Sequence, residues 1–337
     1  MQGHWTRILS IALFFVFTFQ VNALPKKKAT GTNVAAAAAP SSTGGITTAT
    51  DGSTILDKTV QINGLSIRYK ISAPANQFTA ASGVKGASAE ANTTGTAGLN
   101  VLLHGDGGQS FFDFPNQAVQ DNLMGVVVLA PNKKLFWGGG SELQRTDGVE
   151  HAAAVNSLIQ NQLSQDVAFD PTNVFFTGVS GGSLLLSGFF VPAFGAQYKT
   201  GVILNCGALV PQVNVTDPNT LATSMKIHFQ STRDELALLQ PAIPEAIAAY
   251  EKLATYAGLT ADQIGALQTV DNTPNGGGHC GFDGKGFVSG VQLMATNYAN
   301  IMGQNASGEV TGIGNVLKTV VGNEDLVFTS AGQAQKL

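Results

Sequence analysis

The sequence predicts an α/β fold: a mostly parallel central sheet, helices on both of its faces, and an antiparallel hairpin at its N-terminal side. Three observations predict it. Short runs that are apolar on both faces recur at 99–103, 125–130, 174–176 and 201–205, as strands buried on two sides require. Helical stretches with an apolar face are expected at 147–165, 243–256 and 286–302. Strands alternating with helices imply parallel crossover units. The hairpin is read from Asn63-Gly64, with Val60 and Ile62 alternating before it and Leu65, Ile67, Tyr69 and Ile71 after it.

The chain has 337 residues, 44% of them hydrophobic, enough for one large core. Only 12% are charged and the net charge is −4, which gives no reason to expect nucleic acid as a partner. The predicted organisation is a signal peptide over 1–23, a disordered Ala/Ser/Thr-rich linker over 24–54, the α/β domain over 55–302 and a C-terminal extension over 303–337. The signal is read from Arg7, the apolar run from Ile8 to Val21 and the small-residue site Val21-Asn22-Ala23. That run is too short for a stable membrane anchor, so the expected location is secreted and extracellular. The linker is read from composition: Ala35 to Ala39, then Pro40, Ser41, Ser42 and a Thr/Gly run cannot bury enough apolar surface to order themselves. In a secreted chain, Asn92, Asn214 and Asn305 each open a glycosylation sequon. The two cysteines, Cys206 and Cys280, most simply form one disulfide there. No metal site is expected from two cysteines without a supporting histidine spacing.

After the hairpin, 73–98 reads as a surface excursion. The run at 99–103 leads into His104-Gly105-Asp106-Gly107-Gly108-Gln109 and the aromatics Phe111, Phe112 and Phe114. The run at 125–130 leads to Phe136 and Trp137. Phe112 and Trp137 are therefore candidate walls of a substrate pocket. Val174 to Phe176 leads into Gly178-Val179-Ser180-Gly181-Gly182, followed by a helix-forming run from Ser183 to Val191. Strand, sharp turn and helix around Gly-x-Ser-x-Gly is the context of a nucleophile elbow.

A serine needs a base, the base needs an orienting carboxylate, and the developing oxyanion needs two amide donors. His279, on the glycine-rich loop Asn275 to Cys280, follows Ser180 and the last expected strand, so it is the base. Asp234 ends the run 226–231 and its loop, between Ser180 and His279, and is the first choice of acid, with adjacent Glu235 second. The amides of Gly181 and Asp106 are the oxyanion donors, with Gly107 next to the latter; His104 shapes the turn.

From about 99 to 302 the chain resembles the α/β hydrolases. Within them it resembles the secreted feruloyl and acetylxylan esterases and polyhydroxybutyrate depolymerases. The resemblance is carried by His104-Gly105-x-Gly107-Gly108-Gln109, by Asp170-Pro171-Thr172-Asn173-Val174 before the elbow, and by Gly276-Gly277-Gly278-His279. That family often has cysteine where this chain has Asp106, and Ala or Asn where it has Gly181. The resemblance implies the α/β-hydrolase fold and an acyl-enzyme on Ser180. It implies an ester substrate of plant cell-wall or polyester origin, and no cofactor. In that fold Cys206 and Cys280 both lie at the carboxyl edge of the sheet, where a bridge would pin the His279 loop. A peptidase of the same fold and a non-catalytic scaffold are the rival readings.

Overall fold

The computed structural model describes residues 44–113, 122–140 and 142–329. The signal segment, most of the linker and Phe114 lie outside the described residues. The central sheet is built from β1 (Gly45–Thr48), β2 (Thr54–Ile62), β3 (Leu65–Ala73), β4 (Gly98–Leu103), β5 (Leu123–Leu129), β6 (Val174–Val179), β7 (Gly201–Asn205), β8 (Lys226–Gln230) and β9 (Gln268–Asp271), with a short tenth strand, Lys318–Thr319. Their order across the sheet is β1-β2-β3-β5-β4-β6-β7-β8-β9 and then Lys318–Thr319. The strands from β5 to β9 run parallel. β1, β2 and β3 are antiparallel, and so is Lys318–Thr319 against β9.

The expected hairpin turns at Asn63 (φ 52°) and Gly64 (φ 80°), a left-handed pair that matches the twist of two tightly joined strands. Ile67, Tyr69 and Ile71 of β3 are fully buried. The hairpin is not the sheet edge, however. Gly45–Thr48, inside the span assigned to the linker, pair with Thr54 to Asp57 and form the outer strand. Two adjacent β-branched threonines in this Thr/Gly-rich stretch suffice once β2 offers open backbone groups. The excursion at 73–98 is not wholly superficial either: Phe78 and Val84 reach the main core.

The helical run 148–166, expected over 147–165, packs on one face of the sheet with the run after the elbow, 181–198, and with Leu239–Tyr256. Phe287–Thr296 and Tyr298–Met302 cover the other face through Val291, Met294, Tyr298 and Ile301. β9 begins only at Gln268, because Ala261–Leu267 is helical behind a Thr260 capping box. The C-terminal extension is part of the fold: Val310, Val316 and Val320 are buried and Lys318–Thr319 lengthens the sheet. No described helix is long and apolar enough to cross a membrane.

The fold positions the site through one topological switch. From β4 the chain goes to β5 on one side, then crosses back to β6 on the other. A crevice therefore opens at the carboxyl ends of β4 and β6, where open α/β sheets place their sites. Leu103 pairs with Gly178, Val179 with Asn205, and Asn205 with Gln230. The loops after β4, β6, β7 and β8 leave the sheet at one level.

Candidate active site

Ser180 leaves β6 in a conformation that a side chain tolerates poorly, φ 49° and ψ −112°. Such a backbone stores about 1–3 kcal/mol and persists only where its surroundings hold it. Two flanking glycines make it sterically feasible. A Cβ at Gly178 would stand 2.6 Å from Ser183 Cα, and one at Gly182 would stand 2.0 Å from the Leu103 carbonyl oxygen. The Ser180 amide donates to Asn205 O at 2.9 Å, and its carbonyl accepts from Leu184 at 3.0 Å. The hydroxyl is thereby raised over the crevice, half-buried.

His279 Nε2 lies 2.9 Å from Ser180 Oγ. Its Nδ1 donates to Glu235 Oε1. The carboxylate acceptor places the imidazole proton on Nδ1, so Nε2 is the acceptor of the serine hydroxyl. Glu235 is completely buried and His279 is 5% exposed. The sequence order Ser, acid, His is kept, but the acid in contact with His279 is Glu235 and not Asp234. The turn after Thr232 aims the Glu235 side chain inward and the Asp234 side chain along the rim. Asp234 instead accepts from the Gly276 amide and from Thr329 Oγ1. It holds the start of the histidine loop. Nothing in the adjacent pair Asp234-Glu235 distinguishes the two in sequence; only the direction of one turn does.

The histidine loop is fastened at two further points. Thr232 Oγ1 donates to Gly278 O at 3.0 Å. Cys280 is bonded to Cys206, with Cα atoms 5.1 Å apart. The sulfurs of this bridge and His279 form a compact Cys-His-Cys group. It does not suit a metal, because each sulfur is bonded to the other and both imidazole nitrogens face Glu235 and Ser180.

The glycine turn after β4 lies against the elbow. A Cβ at Gly181 would be 3.2 Å from the Asp106 amide nitrogen. Gly107 donates its amide to Leu135 O, and Gly108 to Gly105 O. Among the described residues the Asp106 amide meets no acceptor. The Gly181 amide opens the helical run 181–198, where no intrahelical acceptor exists. Among the described residues, two amides without a protein acceptor thus adjoin beside Ser180, and Gly107 is already committed elsewhere.

His104 is fully buried beneath this turn. Its Nε2 accepts the Ala130 amide at 2.9 Å, so Nδ1 carries the proton that goes to Gly105 O at 2.6 Å. Burial pushes its pKa down to about 4. It is a neutral strut. His228 is likewise buried in mid-strand between Thr269 and Gln230, with its pKa pushed down to about 4 by burial. Asp217 caps the helix Pro218–Ser224.

The two expected pocket walls lie elsewhere. Trp137 is fully buried between the rings of His104 and His151, at 5.3 and 6.1 Å, and supports the turn from behind. Phe112 packs with Phe111, Leu102, Val127 and Leu129 on a face of the sheet. The aromatic at the serine is Phe287, at the start of Phe287–Thr296. Its ring is centred 6.2 Å from that of His279, and its Cζ lies 3.4 Å from where a Gly105 Cβ would be, as does Ser180 Cβ. Phe287 follows a glycine-rich stretch in sequence, and nothing near it signals a role.

No family model and no curated protein matches the sequence. Solved structures do. A thermostable esterase aligns over 66% of this chain and 55% of its own, at 14% identity and a TM-score of 0.44. A ferulic acid esterase aligns over 72% and 96%, at 15% identity and 0.41. An acetyl xylan esterase from Aspergillus awamori aligns over 58% and 79%, at 12% identity and 0.40. The chain's own sheet is mostly parallel, with antiparallel N-terminal strands and helices on both faces.

Proposed function

We propose that this chain is a secreted serine hydrolase of the carboxylesterase type, with Ser180 as nucleophile, His279 as base and Glu235 as the orienting acid. The observation that carries the reading is the continuous hydrogen-bonded line from Ser180 Oγ through both nitrogens of His279 to a fully buried carboxylate. Glu235 fixes the tautomer in which Nε2 can take the serine proton, and it stabilises the imidazolium that results. Ser180 Oγ attacks the ester carbonyl, and the oxyanion forms toward the amides of Gly181 and Asp106. His279 then passes its proton to the departing alcohol, leaving an acyl-serine. Water, deprotonated by the same nitrogen, releases the acid and restores the hydroxyl.

Phe287 supplies an apolar wall beside the reacting carbonyl. It suits an ester with an apolar or aromatic group, such as those of plant cell-wall or polyester origin. Asn92, Asn214 and Asn305 are all exposed, as sites for N-linked glycans must be. A disulfide fits an oxidising compartment.

Ser180→Ala is the test. Hydrolysis of p-nitrophenyl acetate by the variant should fall to background, and labelling by a fluorophosphonate probe should vanish, with an unchanged melting temperature. A variant that still turns over or still labels assigns the nucleophile elsewhere. An intact protein that labels but cleaves peptide and not ester panels would move the reading to a peptidase.

A further inference from the structure

We infer that Arg145 is a positioning residue for the oxyanion donors. It clamps the Asp106 side chain, which keeps the Asp106 amide beside Gly181 and neutralises a carboxylate that would otherwise oppose the developing negative charge. The inference rests on the reading of Ser180 as the nucleophile.

Asp106 is an unfavourable residue to find at an oxyanion donor. A Cβ built on Gly181 would lie 2.1 Å from Asp106 Oδ1 and 2.6 Å from its Cγ. The carboxylate therefore occupies the space that a side chain on Gly181 would fill, directly against the second donor. A negative charge beside the donor amides works against the stabilisation that they provide.

Arg145 answers this charge. Its Nη1 donates to Asp106 Oδ1 and its Nη2 to Asp106 Oδ2, both at 2.8 Å. The same two nitrogens also donate to Trp137 O at 2.9 Å and to Glu142 O at 2.7 Å. The side chain is 2% exposed, and that of Asp106 is 21% exposed. The planar fork thus has one orientation, set from behind by backbone carbonyls, and it fixes Asp106 in one plane. The loop that carries Arg145 is folded tightly for this. At Gly138, with φ at +76°, a Cβ would stand 2.6 Å from Arg145 Cβ. Gly181 and Asp106 meet here in direct contact. They fit each other: absence of a side chain at one makes room for the clamped carboxylate of the other.

The experiment compares kcat and KM for p-nitrophenyl acetate in the wild-type chain, Arg145→Met, Arg145→Lys, the Arg145→Met/Asp106→Asn double variant and Ser180→Ala. Losing the clamp should lower kcat by up to about 100-fold in Arg145→Met, the order of one lost oxyanion donor, with KM nearly unchanged. Arg145→Lys, which keeps a charge but not the fork, should fall between. The double variant should recover about tenfold over Arg145→Met, because no bare carboxylate remains. A loop tether alone predicts no such rescue. Wild-type kcat in Arg145→Met, or a double variant no better than the single, overturns the proposal. Should Arg145→Met not fold, Arg145→Lys decides: a lower kcat at an unchanged melting temperature supports the clamp, and wild-type kcat overturns it. Activity in Ser180→Ala would instead remove the reading on which the clamp rests. An inactive Ser180→Ala beside a fully active Arg145→Met removes the clamp alone.

Discussion

The elbow and the histidine loop meet at the hydrogen bond between Ser180 and His279, yet they are held by different means. The elbow is set by the strand and helical run that flank it, with Leu103 and Asn205 of the neighbouring strands packed against it. β6 delivers it, the run 181–198 leaves it, and Gly178 and Gly182 allow backbone contacts closer than any side chain permits. The histidine loop has close glycine contacts of its own, Gly277 against Gly281, but it does not turn directly from a strand into a helix as the elbow does. It is held from outside by Asp234 at Gly276, Thr232 at Gly278 and Cys206 at Cys280. A position set locally is legible in a motif, whereas one set by cross-links is legible only when the partners are known.

The sharpest test of this contrast is at the two adjacent acids. Glu235→Gln should lower kcat by about 10⁴-fold, since the imidazole loses the partner that selects its tautomer. Asp234→Asn, which weakens one loop fastening, should cost only about 1–2 kcal/mol of stability, read in urea, with a far smaller change in kcat. The reverse order would return the acid to Asp234. Next comes the bridge. Replacing Cys206 and Cys280 together by serine should lower the unfolding free energy by roughly 4 kcal/mol, for a closed loop of this length. An unchanged urea midpoint would mean that the two hydrogen-bonded fastenings suffice.

Buried histidines beneath both regions add a sensitivity to acid. His104 and His228 have native pKa values pushed down to about 4 by burial, against an ordinary 6.5. Between those values the unfolded chain binds protons that the native chain refuses. Stability must therefore fall as pH drops from about 6.5 to about 4, by up to roughly 3 kcal/mol per histidine. Urea midpoints measured across this range check the sign; a flat profile would contradict the burial of both rings. The smallest effect is expected where the two regions share a neighbour. Phe287 touches both the donor turn and the His279 ring. Phe287→Ala should shift the preference for butanoyl over acetyl p-nitrophenyl esters by about tenfold. An unchanged ratio would place the acyl group elsewhere.

The sequence carried the parallel strands, the sharp turn at Ser180, the choice of His279 as its neighbour and the pairing of the cysteines, because each rests on local pattern, chain order or count. It did not carry which carboxylate meets His279, because Asp234 and Glu235 offer the same chemistry one residue apart and a turn selects between them. Trp137 and Phe112 were misleading for a related reason. An aromatic just after a strand can face the crevice or the core, and the His104 and His151 rings capture Trp137 from behind. Gly45–Thr48 was hidden by composition, since a Thr/Gly-rich stretch becomes a strand only when an edge is available to it.

The C-terminal segment bears on how the histidine loop is held. Thr329 donates through its hydroxyl to Asp234 and through its amide to Arg233 O. Asp234 in turn accepts the Gly276 amide. A segment distant in sequence thus braces the start of the loop that carries His279, and a substitution at Thr329 acts on that loop without touching Ser180.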